Sequence, residues 1–162
     1  MNRSWPLLAL LLCLTLPLTA FAADNQIQFE SRAEIEVRQA LPDGSTITLR
    51  QPAALVVPGT LVIYSNVMTN VGTEPAENLV VSNPIPLQMI YVAGSALPES
   101  AAITFSVDGG KTFAAPETLT VTGGDGKERP AVAEDYTHIR WLITEALAPG
   151  ATTAVEFRAK LQ

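Results

Sequence analysis

From Ile27 onward apolar and polar residues alternate. Ile27, Phe29, Ala33, Ile35 and Val37 share one parity, and Gln28, Glu30, Arg32, Glu34, Glu36 and Arg38 share the other. That is the period of a strand buried on one face. Leu41-Pro42-Asp43-Gly44 predicts a turn, because proline pre-sets one turn position and glycine tolerates the left-handed one. Alternation resumes over Ser45 to Arg50 through Ile47 and Leu49, and Val57-Pro58-Gly59 breaks it again. Thr60 to Asn70 has Val62, Tyr64 and Met68 on one side and Leu61, Ile63 and Val67 on the other, which predicts a central strand covered on both faces.

Shorter segments follow. Leu79 to Ser82 predicts a strand stopped by Asn83-Pro84-Ile85-Pro86, a run that cannot join a central ladder. Met89 to Ala93 is next, then Ile103 to Val107 and Thr112-Phe113 flanking the tight turn signal Asp108-Gly109-Gly110-Lys111. Leu119 to Thr122 reads as a strand, and Gly123 to Lys127 as a polar loop continuing to Asp135. Thr137 to Thr144 puts Ile139, Trp141 and Ile143 on one face. After the turn at Leu147 to Gly150, Val155, Phe157, Ala159 and Leu161 point inward, with Glu156, Arg158 and Lys160 outward. No segment from residue 23 on sustains a helical period. Short strands divided by Pro/Gly turns predict an all-β fold, an antiparallel sandwich with Trp141 as its core plug.

The first residues follow another pattern. Arg3 is the only charge before Asp24, an apolar stretch runs from Leu7 to Leu18, and Ala20-Phe21-Ala22 precedes Ala23. A charged start, a short apolar centre and an A-x-A exit are the three parts of a cleavable secretory signal. The stretch is shorter than the roughly 20 residues of a membrane-spanning helix. The sequence therefore predicts a signal peptide over 1–22, a cut between Ala22 and Ala23, and one β-sandwich domain over 23–162. The exported part is expected to have no permanent membrane anchor and to reach the periplasm or the extracellular space.

Composition narrows the chemistry. The one cysteine is Cys13, inside the export segment, so the domain has neither disulfide nor thiol chemistry, as suits a bacterial envelope protein. The formal charge is −6, and loss of Arg3 makes the domain more acidic still. A nucleic-acid partner, which would need a basic surface, is excluded. His138 is the single histidine. Beside Glu134 and Asp135 it reads as a polar strand end rather than a metal site or a catalytic base. No Gly-x-Ser-x-Gly elbow is present, and the sequence predicts no catalytic residue, cofactor or metal.

The sharpest local motif is Ser106-Val107-Asp108-Gly109-Gly110-Lys111-Thr112-Phe113. It is similar to the Asp-box hairpin, Ser-x-Asp-x-Gly-x-Thr-Trp/Phe, of secreted β proteins. Ser106, Asp108, Gly110, Thr112 and Phe113 are read as a structural corner, in which the carboxylate takes backbone N–H groups and Phe113 packs below.

Val57 to Tyr64 with Asn70-Val71-Gly72, then Pro75 to Val81, Pro84-Ile85-Pro86 and Tyr91 to Ser95, carry a wider likeness. In that order they resemble the bacterial conserved repeat domain family of unknown function, most clearly from Pro58 to Ser95. The resemblance implies an immunoglobulin-like sandwich of envelope and surface proteins and brings no catalytic residues. The expectation is an exported, non-enzymatic structural or interaction module of the cell envelope, with an envelope protein or a glycan as partner. A small carbohydrate-binding module using exposed aromatic residues is the alternative; among Tyr64, Tyr91, Tyr136 and Trp141, Tyr64 and Trp141 read as core, which leaves Tyr91 and Tyr136.

Overall fold

A computed structural model describes residues 26–162; the expected signal peptide over 1–22 and the expected cut between Ala22 and Ala23 lie outside them. The strands are β1 (Ile27–Ala40), β2 (Thr46–Pro52), β3 (Leu61–Asn70), β4 (Leu79–Pro84) and β5 (Met89–Tyr91), followed by β6 (Ala102–Ser106), β7 (Thr120–Thr122), β8 (Glu128–Pro130), β9 (His138–Ile143) and β10 (Thr152–Leu161). Two short 3-10 turns, Pro116–Thr118 and Ala133–Asp135, are the only helical pieces among the described residues. Every strand pair is antiparallel.

One sheet has five strands in the order β2-β1-β3-β10-β5, a second has three in the order β4-β9-β6, and β7 and β8 form a separate pair. The two larger sheets share a core of Val62, Met68, Val155 and Phe157 from the first and Val81, Phe105, Ile139 and Trp141 from the second. The fold is all-β, antiparallel and sandwich-like. Trp141 and Phe157 are both fully buried, with ring centroids 6.1 Å apart across the core. The Trp141 indole N–H is the one buried side-chain polar atom without a partner among the described residues.

The strong alternations hold. β9 buries Ile139, Trp141 and Ile143, and β10 buries Val155, Phe157 and Ala159. β3 lies between β1 and β10 and is covered on both faces. β4 runs on to Pro84 as an edge strand, where a missing N–H does no harm. The turns at Gly44, Gly59 and Gly150 carry φ of 85°, 91° and 76°, values that glycine adopts without steric cost.

Three elements differ from expectation. Thr112-Phe113 forms no strand; the chain returns to β6 through a single bridge, Phe105 to Ala114. β8, all polar apart from Pro130, pairs with β7 around the Gly123–Gly126 turn. On β1 the apolar parity is only partly covered, because that strand reaches beyond the narrower sheet: Phe29 is 51% exposed.

Asn70 explains the Asn-x-Gly ending of β3. Its fully buried amide donates to the Glu74 and Leu147 carbonyls, both at 2.8 Å, and its Oδ1 accepts from the Gly72 N–H. One side chain thus ties the end of β3 to two loops. A second polar link joins the sheets: Ser31 Oγ donates to Asn66 Oδ1, and Asn66 Nδ2 donates to Asn83 Oδ1 at 2.6 Å.

Candidate functional site

β6 ends in the Asp108 loop. The Asp108 carboxylate accepts from the Ser106 hydroxyl at 2.7 Å, from the Lys111 and Thr112 N–H groups at 3.0 Å, and from the Thr112 hydroxyl at 2.6 Å. Ser106 is fully buried, and its oxygen accepts from the Asp108 and Gly110 N–H groups. So many donors hold the Asp108 carboxyl far below the usual carboxylate range, the Thr112 bonds contributing most and the Ser106 hydroxyl next. Gly109 and Gly110 take φ of 80° and 83°. A Cβ on Gly110 would come within 3.1 Å of the His138 ring.

Ser106, Asp108, Gly110 and Thr112 therefore meet in one hydrogen-bonded loop. Phe113 lies to one side of it. The Arg140 guanidinium sits 3.5 Å from the Phe113 ring centre, and the His138 ring meets the same phenyl edge-on at 6.4 Å. His138 is half-buried, with Nδ1 3.3 Å from the Thr137 hydroxyl. Among the described residues no three of His, Cys, Asp and Glu converge as a metal site would require. The loop satisfies its own polar groups, and its carboxylate is held ionised by donors rather than poised to exchange a proton.

The aromatic candidates fall elsewhere. Tyr91 is buried, Tyr64 stacks on Phe157 at 5.1 Å, and Tyr136 stacks on Phe105 at 4.4 Å. Tyr91, Phe105 and Tyr136 wall a cavity of about 430 Å³ at the open side of the sandwich between β5 and β6. Ile103, Pro116 and the exposed Glu99 are also in its lining. Nothing along the chain marks Glu99 and Pro116 as neighbours of Tyr91; only the fold brings them there.

At the opposite side the wide sheet extends past the narrow one. Phe29 pairs with Met68 and Ala33 with Tyr64, so the odd residues of β1 share the face of the core. That face continues through Val37, paired with Leu49, and Gln39, paired with Ile47. Phe29, Ile47 and Leu49 are 51%, 37% and 37% exposed, an interrupted apolar strip along this face with Phe29 at one end and Leu49 and Ile47 at the other. Between β1 and β4 runs a groove whose lining includes Ser31, Ala33, Tyr64, Asn66, Asn83 and Pro84. No helix among the described residues is long and apolar enough to cross a membrane. In comparisons with protein families, curated proteins and solved structures, nothing matches this chain.

Proposed function

We propose that this chain is an exported, non-enzymatic interaction module of the bacterial cell envelope, built as an immunoglobulin-like sandwich. The observation that carries the reading is the set of exposed apolar side chains Phe29, Leu49 and Ile47 on the wide sheet, together with the edge strand β4. Exposed large apolar side chains on a sheet face suit contact with a partner, and an edge strand offers unpaired backbone groups for strand addition. The A-x-A exit at Ala20 to Ala22 supports export. The carbohydrate alternative has weaker support, since Tyr91 and Trp141 are buried and Tyr136 lies flat against Phe105.

The test has two arms. The full chain, expressed in a Gram-negative host, is expected in the periplasmic fraction with the intact mass of residues 23–162; an uncut cytoplasmic product overturns the export half. A photo-crosslinking residue at Phe29 or Leu49 is expected to give a discrete adduct with an envelope component, which the same residue at Glu128 does not give. Absence of an adduct at both strip positions overturns the interaction half.

A further inference from the structure

The cavity between β5 and β6 differs in chemistry from the strip and lies on the other side of the sandwich. Its volume of about 430 Å³ falls inside the roughly 300–1,000 Å³ span of small-molecule sites. The wall is pre-built. Phe105 and Tyr136 stack nearly parallel, 21° apart, and Tyr91 tilts against both at 4.9 and 6.2 Å. Ile103, Pro116 and small alanines complete an apolar lining, so the rings need not rearrange to receive a ligand.

One charged side chain lines this space, the exposed carboxylate of Glu99. It forms no ion pair among the described residues, and no lysine, arginine or histidine shares the lining. The surroundings are acidic as well. Burial raises the Tyr136 hydroxyl pKa, and the Tyr91 hydroxyl and the Asp135 and Glu117 carboxylates raise it further. Asp135 is bound to Arg129 at 2.6 Å, whereas Glu117 has no such partner among the described residues.

We infer that this cavity binds an organic cation carried on an apolar or aromatic body, of which a protonated arylalkylamine is the simplest member. The body lies against the Phe105 and Tyr136 rings, and the ammonium reaches Glu99 at the mouth. Aromatic faces attract cations through the ring quadrupole, and apolar contact supplies the rest of the binding. An anion of the same shape meets the Glu99 charge with no cation in the lining to offset it. A sugar finds few hydrogen-bonding groups in the lining beyond Glu99 and the tyrosine hydroxyls. Because Glu99 is exposed, the preference for the cation over a neutral analogue is modest, about two- to five-fold. The site does not depend on the apolar strip and stands or falls separately from it.

The experiment is a titration of the purified protein with phenethylamine, 2-phenylethanol and 3-phenylpropionate, followed by amide ¹H–¹⁵N NMR. Saturable shifts confined to the cavity residues are expected, tightest for the ammonium, weaker for the alcohol and weakest for the carboxylate. Glu99→Gln is expected to abolish the preference for the ammonium while leaving alcohol binding unchanged. Ala93→Trp, at an exposed lining position, is expected to block all three. The spectra report directly that both variants are folded. Absence of saturable shifts with any probe overturns the proposal. So does a carboxylate that binds as tightly as the ammonium, or an order of affinity that Glu99→Gln leaves intact.

Discussion

The Asp108 carboxylate and the Ser106 hydroxyl hold their loop by bonds reaching no more than four residues along the chain. Such a loop is set by its own sequence, which is why Ser106, Asp108, Gly110 and Thr112 can be picked out without the fold. Phe113 meets Arg140 and His138 of β9, which offer it a cation and a ring edge. The pH dependence follows from the direction of the shift. Asp108 is depressed, so its contribution to stability is complete above the ordinary aspartate pKa of about 3.9. It is lost as pH falls below that value toward the folded pKa. In a ¹³C carboxyl titration Asp108 is expected to remain ionised well below the usual range. Thr112→Val, which removes the hydroxyl bond, is expected to raise that pKa and move acid unfolding to higher pH. An Asp108 that titrates normally would show that these bonds do not hold the loop in solution.

At the scale of the element, Asn70 does for β3 what the Asp108 loop does for β6: it turns the end of a strand into a fixed junction. Its replacement by alanine leaves the part-buried Glu74 carbonyl and Gly72 N–H without this partner, and takes from the Leu147 carbonyl one of its two donors, the other being the Ala76 N–H. An unsatisfied polar group costs about 1–3 kcal/mol when buried and less where water reaches it. Asn70→Ala is thus expected to lower unfolding stability by about 1–3 kcal/mol in a urea titration; a change below about 0.5 kcal/mol, the range of ordinary surface substitutions, refutes the clamp. The same scale shows what a sequence exposes and what it hides. β9 and β10 are legible because each covers one uninterrupted apolar parity. β8 is not, because Glu128-Arg129-Pro130 has no parity and exists as a strand only through the turn that brings it to β7. β1 has the parity of a core strand, yet the width of the opposing sheet decides whether that parity is covered, and width is not written in any one segment. The cavity is hidden for the same reason, its walls coming from β5, β6 and both 3-10 regions.

Across the whole molecule, β1 divides its pairing. It bonds β3 from Ile27 to Glu34 and β2 from Glu34 to Ala40, so Glu34 faces both Ile63 and Pro52. Beyond that point the β1–β2 hairpin is held to the body by two ion pairs, Arg158 to Glu36 at 2.8 Å and Arg50 to Glu156 at 2.9 Å. These pairs are partly exposed and screened by salt. In native-state hydrogen exchange, the amides of β2 are expected to open before those of β9 and β10, and sooner still at 1 M than at 0.1 M salt. Equal protection of β2 and β9 at both salt concentrations would mean that the hairpin opens only with the whole domain. Neither glycine nor proline interrupts Ile27 to Ala40, so the branch at Glu34 contains no hinge. The arm is built as a lever on a torsion spring: its tip at Pro42 to Gly44 and the residue Phe29, which is paired with core Met68, belong to one hairpin whose first strand is unbroken.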